Sequence, residues 1–300
     1  MSDSATLATL PERLSASSAV YRDPLAQVDW ETLDADAAWM PDELVSLYGL
    51  PEWEAMTEEQ RRRLSRCEFV AFLELGLWLE SLFMQRIAVQ ACQGPAAGLE
   101  DYTYLLHEMR EEAGHSLMFA EVMRRGGIPP MASRDVRPRL ANAFGRLAPF
   151  GSAGFWATIL IGEAVPDQVN RLMHRDERLP TAVRQVVAVH MREEARHIAY
   201  ARERVAAKLA ARGTIAKRSL ALLLRQVLKQ FINQCFYPPA QVYAQAGLER
   251  PQALVRRARH NPARAAVVER CTGPTVDFLA DNGLPLRARA GGGRAAEELD

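Results

Sequence analysis

The sequence predicts an all-α fold, a four-helix core with accessory helices, on three observations. Apolar residues recur at helical spacing over four long stretches. Alternating Val/Ile/Thr runs bounded by turn residues do not occur. Short turns bearing Gly and Pro separate the stretches in pairs, which joins consecutive helices as antiparallel hairpins.

Residues 1–35 lack sustained periodicity and read as an N-terminal segment lying over the surface. Residues 36–285 read as a single helical domain. Its first long helix runs from about Arg66 to Gln93 and stops at Gly94-Pro95 and Gly98. The second runs from about Leu99 to Arg125. Glu100 and Asp101 suit its first turn, where the helix dipole favours negative charge, and Gly126-Gly127 with Pro129-Pro130 close it. The third spans about Ser152 to His174. Pro166 inside it removes a backbone donor and crowds the carbonyl of Gly162, so a kink is expected there. The fourth begins at Pro180-Thr181, runs to about Arg212 and is expected to end on Gly213 as its C-terminal cap. A further helix from Thr214 to Phe236, and shorter pieces to about Leu279, are expected to pack around these four. Residues 286–300, with Gly291-Gly292-Gly293, have the composition of a flexible tail.

Composition excludes several function classes. Lys plus Arg number 37 and Asp plus Glu number 37, so no basic field points to nucleic acid or to an anionic membrane. Arg256, Arg257 and Arg259 read as a solvated helix face. Cys67, Cys92, Cys235 and Cys271 lack a metal-ligand spacing and read as reduced thiols of a cytoplasmic protein. No secretion signal is recognisable, and no uncharged apolar run reaches the ~18 residues of a membrane span.

The chemistry lies in the second and fourth helices. His190, Glu194 and His197 stand at offsets of four and seven, which at ~100° per residue puts them on one helix face. Imidazole and carboxylate together suit Fe(II), Mn(II) or Zn(II). Glu112 and His115 repeat the Glu-x-x-His spacing of Glu194 and His197. Two such pairs, with one further Glu from each remaining helix, form the ligand set of ferritin-like di-metal carboxylate proteins. Glu111 and Glu193 compete with their neighbours, but Glu112 and Glu194 share one spacing and leave the other two for solvent or supporting contacts.

Height along the hairpins selects the remaining carboxylates. The first turn centres near Ala96, with Glu80 as far before it as Glu112 is beyond, whereas Glu74 would sit about 9 Å too high. Glu74 remains the alternative under a one-turn change of register. Around a second turn near Arg178, Glu163 stands level with Glu194. Glu80 and Glu163 both lie in strongly apolar surroundings, where an unpaired carboxylate is costly. The candidate ligands are therefore Glu80, Glu112, His115, Glu163, His190, Glu194 and His197. His190 is one more imidazole than the symmetric set contains.

These motifs resemble those of the di-iron arylamine N-oxygenases of the p-aminobenzoate N-oxygenase type. The resemblance rests on Glu112/His115, the isolated Glu163 and His190/Glu194/His197, and the helical layout extends it over most of the chain. It implies a ferritin-like core holding two iron ions (Fe2+/Fe3+) on four Glu and three His, with manganese admitted by the same donors. It further implies O2 as co-substrate, oxidation of a small-molecule amine through hydroxylamine and nitroso to nitro, and electrons from an external reductase. No dinucleotide fingerprint is present to supply them internally. Hydroxylation or desaturation of a C–H bond, and iron or manganese storage without organic substrate, are the competing readings. A homodimer is the expected oligomer. Arg171, Asn170, Gln168, Tyr200 and Tyr104 are candidates for a pocket wall.

Overall fold

A computed structural model describes residues 8–95, 98–131 and 139–287. Among the described residues every regular element is an α-helix or a short 3-10 helix. α1 (Leu10–Ser18) and the single turn α2 (Pro51–Glu54) precede the bundle. The first core helix, α3 (Glu58–Ala91), starts well before the expected Arg66. Glu58 to Arg63 carries no apolar residue, so periodicity does not reach it. The start is instead fixed by a capping box in which Thr57 accepts from the Gln60 N–H and Gln60 from the Thr57 N–H.

α4 (Leu99–Gly126) ends on Gly127, whose φ of 62° is the left-handed cap that glycine adopts without strain. The unanticipated α5 (Arg139–Leu147) leads into α6 (Ala153–His174), where the Ser152 hydroxyl accepts from the Phe155 N–H. α6 remains helical through Pro166. α7 (Thr181–Ala210) starts after Pro180 at its N-cap and is capped by Ala211. Gly213 therefore corrects the expectation that it ends this helix. Its φ of −70° and ψ of 159° are extended, and it serves as N-cap of α8 (Thr214–Phe236). α9 (Ala240–Gln245), α10 (Pro251–Arg259) and α11 (Pro262–Asp281) complete the chain order.

α3 pairs with α4, and α6 with α7, as two hairpins that enclose the core. α8 and α11 cover α6, α5 bridges α3, α6 and α8, and α9 rests on α3. The described part of the N-terminal segment lies on the bundle: α1 packs on α4, and Leu14 and Val28 are buried. At the other end Leu286 is buried, and the expected tail from residue 288 onward lies outside the described residues, as does Ala96 of the first turn. No described helix is long and apolar enough to cross a membrane.

The join between the N-terminal segment and the bundle is tight at Gly126. A Cβ there would come within 2.3 Å of the Trp39 ring. Trp39 has no room to yield: it is fully buried, its indole N–H donates to the Asp34 carbonyl, and its backbone N–H donates to Ser65. Gly126→Ala should therefore overpack this contact and lower stability by about 1–3 kcal/mol. Chemical denaturation checks this, and an unchanged midpoint would show that Trp39 repacks freely.

Candidate metal centre

Each long helix contributes acidic or imidazole side chains to one level of the bundle. Glu80, His115, His190 and Glu194 bring donor atoms within 4.8 Å of one another, and Glu108, Glu112 and His197 do the same beside them. All seven are buried. The structure thus brings together six of the sequence candidates. The seventh, Glu163, falls in neither group by that distance, but its two oxygens are shielded from solvent, have no hydrogen-bond partner, and feel the charges of Glu194, Glu108 and Glu112. Glu74 lies elsewhere: its Oε1 accepts from the Met131 N–H at 2.6 Å.

Glu108 was missed by the sequence reading. It stands four residues before Glu112, as His190 stands four before Glu194. The spacing Glu108/Glu112/His115 on α4 therefore repeats His190/Glu194/His197 on α7, with a carboxylate in place of an imidazole. Glu108 is fully buried, with both oxygens unpartnered.

The carboxylates straddle the two groups. Glu112 places Oε2 at 3.2 Å from His115 Nδ1 and Oε1 at 3.2 Å from His197 Nδ1. Glu194 Oε1 lies 3.2, 3.5 and 3.6 Å from His190 Nε2, His197 Nδ1 and His115 Nδ1. His190 Nε2 is also 3.5 Å from Glu80 Oε1. Yet His190 Nε2, His197 Nδ1 and Glu194 Oε2 make no hydrogen bond, because close approach is not matched by alignment. Their lone pairs aim at shared space rather than at each other. Soft-to-borderline nitrogens and hard oxygens in that arrangement fit two adjacent metal ions.

The outward-facing ring nitrogens are held just as specifically. His115 Nε2–H donates to Glu193 at 3.0 Å, and His197 Nε2–H donates to Glu111 at 3.0 Å. Each of these carboxylates comes from the opposite helix of the α4/α7 pair, and Glu111 is itself paired with Arg196 at 2.8 Å. Ionised carboxylates only accept, so these bonds set the tautomer that leaves Nδ1 of both rings facing inward. His190 Nδ1 meets the Asn170 amide at 2.8 Å, which turns its Nε2 toward Glu80 and Glu194. Of the five residues named for a pocket wall, Asn170 alone is among the described residues lining the cavity next to this centre. Tyr104 and Tyr200 pack against each other instead, ring centres 4.6 Å apart and planes tilted by 46°.

Burial and crowding split the acids. Burial, with the neighbouring Glu112 and Glu194 charges, pushes Glu80 well above the carboxylate range. Burial likewise pushes Glu163 well above it and Glu108 up to about 8. Glu112 and Glu194 go the other way. Burial alone would raise them, but the charge on His197 and hydrogen bonds from Glu80 and His115 hold Glu112 well below its usual value. Glu194 is drawn down to about 2, with His197 and His190 opposing its burial and the Glu112 charge. His115 would be lowered by burial, but its bonds to Glu112 and Glu193 raise it to about 9.

Fold and site together define a ferritin-like di-metal carboxylate protein. A family model described as p-aminobenzoate N-oxygenase AurF matches residues 3–283, and the chain belongs to that family. Uncharacterized protein MT0908 of Mycobacterium tuberculosis (strain CDC 1551 / Oshkosh) is 27% identical over 237 residues, covering 76% of this chain and 68% of its own. Uncharacterized protein Rv0885 of strain ATCC 25618 / H37Rv is 26% identical over the same shares. Among solved structures, an R2-like ligand-binding oxidase with anaerobically reconstituted Mn/Fe cofactor superposes with TM-score 0.56 at 14% identity. That match covers 92% of this chain and 93% of that one. The same oxidase with its cofactor aerobically reconstituted and photoconverted gives 0.56 at 15%. These likenesses show the fold.

The cross-helix bonds carry a prediction. Glu111→Gln and Glu193→Gln keep side-chain shape but remove the charge that holds His197 and His115. Each should weaken metal affinity about 10–100-fold while leaving the helical fold intact. Competition titration against a chelator, with circular dichroism as control, measures both.

Proposed function

We propose that the protein is a di-iron oxygenase that uses O2 to oxidise the nitrogen of a small organic amine, from amine to hydroxylamine, nitroso and nitro stages. The observation that carries this reading is the third imidazole. His190 converges with Glu80, Glu194 and His115, and with Glu80 and Glu194 it lines an apolar cavity, in a chain of the N-oxygenase family. Glu80, Glu112, His115, Glu163, His190, Glu194 and His197 are the ligands of the proposed centre, and Glu108 adds a carboxylate to the side that holds a single imidazole. Bound there, a pair of redox-active ions supplies oxygen activation and electron transfer.

The remaining work belongs to the chain. Glu111, Glu193 and Asn170 fix ring orientation, and the apolar wall excludes water from a site where a reactive oxidant would otherwise be quenched. Such a wall beside the acids favours an organic substrate over a storage role. Electrons come from an external reductase. The solved neighbours carry Mn/Fe cofactors, which supports testing manganese beside iron.

Anaerobic loading with Fe(II) should give two irons per chain by elemental analysis. With a reductant, O2 and an arylamine, mass spectrometry should then detect hydroxylamine, nitroso or nitro product. Iron oxidation without organic product would sink the oxygenase reading. Hydroxylated carbon instead of nitrogen would move it to C–H chemistry.

Substitutions separate the roles of the two carboxylates on α3. Glu80→Ala should lose one or both irons and abolish turnover, whereas Glu74→Ala, which removes only a bond to the Met131 N–H, should retain both. His190→Ala should leave the helix folded, since alanine is the better helix former. It should nonetheless reduce occupancy of one of the two positions. Unchanged metal content and turnover in His190→Ala would remove the feature on which N-oxygenation rests.

A further inference from the structure

The cavity beside the metal centre has a volume of about 60 Å³. Away from the acids, its wall is aliphatic and aromatic: Leu79, Phe83, Ile159, Val187, Val227 and Phe231 represent it. Among the described residues that line it, none is lysine or arginine. The polar side chains of this wall are already engaged. The Trp78 indole N–H donates to Asn142 Oδ1 at 3.0 Å, the Thr158 hydroxyl donates to the Gly154 carbonyl at 3.0 Å, and the Asn170 amide is bonded to His190. At the metal end the cavity is faced by Glu80, Glu112, Glu163 and Glu194.

With its amine at the metal end, a substrate carboxylate would lie against the apolar part of the wall, where the described side chains offer it neither a cation nor an uncommitted donor. Burying a charge on those terms is strongly unfavourable. Among the described residues, Arg146 lines a separate and more polar hollow with Glu74 and Gln85. Leu75, Trp78 and Leu82 line both spaces and stand between them. Arg146 is exposed, so water screens what charge it offers.

We infer that the substrate is an uncharged apolar amine, an aniline carrying neutral or hydrocarbon substituents, and that aminobenzoate-type anions are excluded. This rests on the amine-oxidation reading of the same site and narrows it. The specificity resides in the wall contributed by α3, α6, α7 and α8, whose apolar side chains accept a hydrocarbon body and give nothing to an anion.

The test uses the intact iron-loaded protein under anaerobic conditions. Dissociation constants are measured calorimetrically for 4-aminobenzoate, its neutral methyl ester, 4-toluidine and the amine-free 4-xylene, and O2 with reductant is then added. The ester and 4-toluidine should bind at least ten-fold more tightly than 4-aminobenzoate and should be consumed. Equal or tighter binding of 4-aminobenzoate overturns the inference, and its conversion to a nitro product would leave N-oxygenation standing. If 4-xylene binds as well as 4-toluidine and only carbon is oxidised, the uncharged substrate class stands and the amine reading falls. Failure of all four to bind overturns the inference that this cavity receives such molecules.

Discussion

Removing a carboxylate from water without a counter-charge is expensive, and this bundle does so repeatedly at one level of its core. Glu80, Glu108, Glu111, Glu112, Glu193 and Glu194 are all buried there, together with His115, His190 and His197. Such a core is tolerable only if protons or metal ions neutralise it. Burial pushes Glu80, Glu108 and Glu163 upward, toward the protonated form, while bonds to Glu112 and Glu193 draw His115 upward, toward the charged form. Metal ligands must shed those protons, so metal uptake and proton release are one equilibrium.

That requirement accounts for the two-fold pattern of α4 and α7. Each helix carries an acid three before a histidine and a second acid immediately before the first. The inner acids, Glu112 and Glu194, face the shared centre. The outer ones, Glu111 and Glu193, reach across to the histidine of the other helix. Both of these rings are thereby fixed at the outward nitrogen, and the two helices are tied at the level where charge is densest. The pattern is broken at one pair of equivalent positions, Glu108 and His190. One side of the centre is thus rich in imidazole and the other in carboxylate, so the two positions present different fields to whatever they hold.

Much of this was legible because helical periodicity and metal-ligand spacing are local. The repeated Glu-x-x-His places two side chains on one face whatever surrounds them, and equal distance from a turn sets Glu80 rather than Glu74 level with Glu112. The third imidazole was legible by the same offset rule. Glu108 obeys that rule too, but a glutamate between His107 and Met109 reads as surface until burial is known. Asn170 was visible only as one of several polar residues near the site, since its bond to His190 joins two helices. The start of α3 was hidden because a charged first turn has no periodicity. Gly213 was misassigned because glycine between two helices can close one or open the next, and only φ distinguishes them.

The partition of labour in the cavity follows from the same electrostatics. Whatever neutralises the acids of the centre leaves no surplus positive charge for a substrate anion, so such an anion would need a cation elsewhere in the wall. In this chain the described wall supplies none, and the polar atoms it does contain are bonded to the protein. The free energy available for binding therefore comes from apolar contact, which is roughly proportional to the hydrocarbon area removed from water and nearly blind to direction. Orientation must then come from the metal end, which Glu80, Glu112, Glu163 and Glu194 line. On the proposed reading, a substrate held by its hydrocarbon body and aimed by one polar group would present that group, and only that group, to the metal centre.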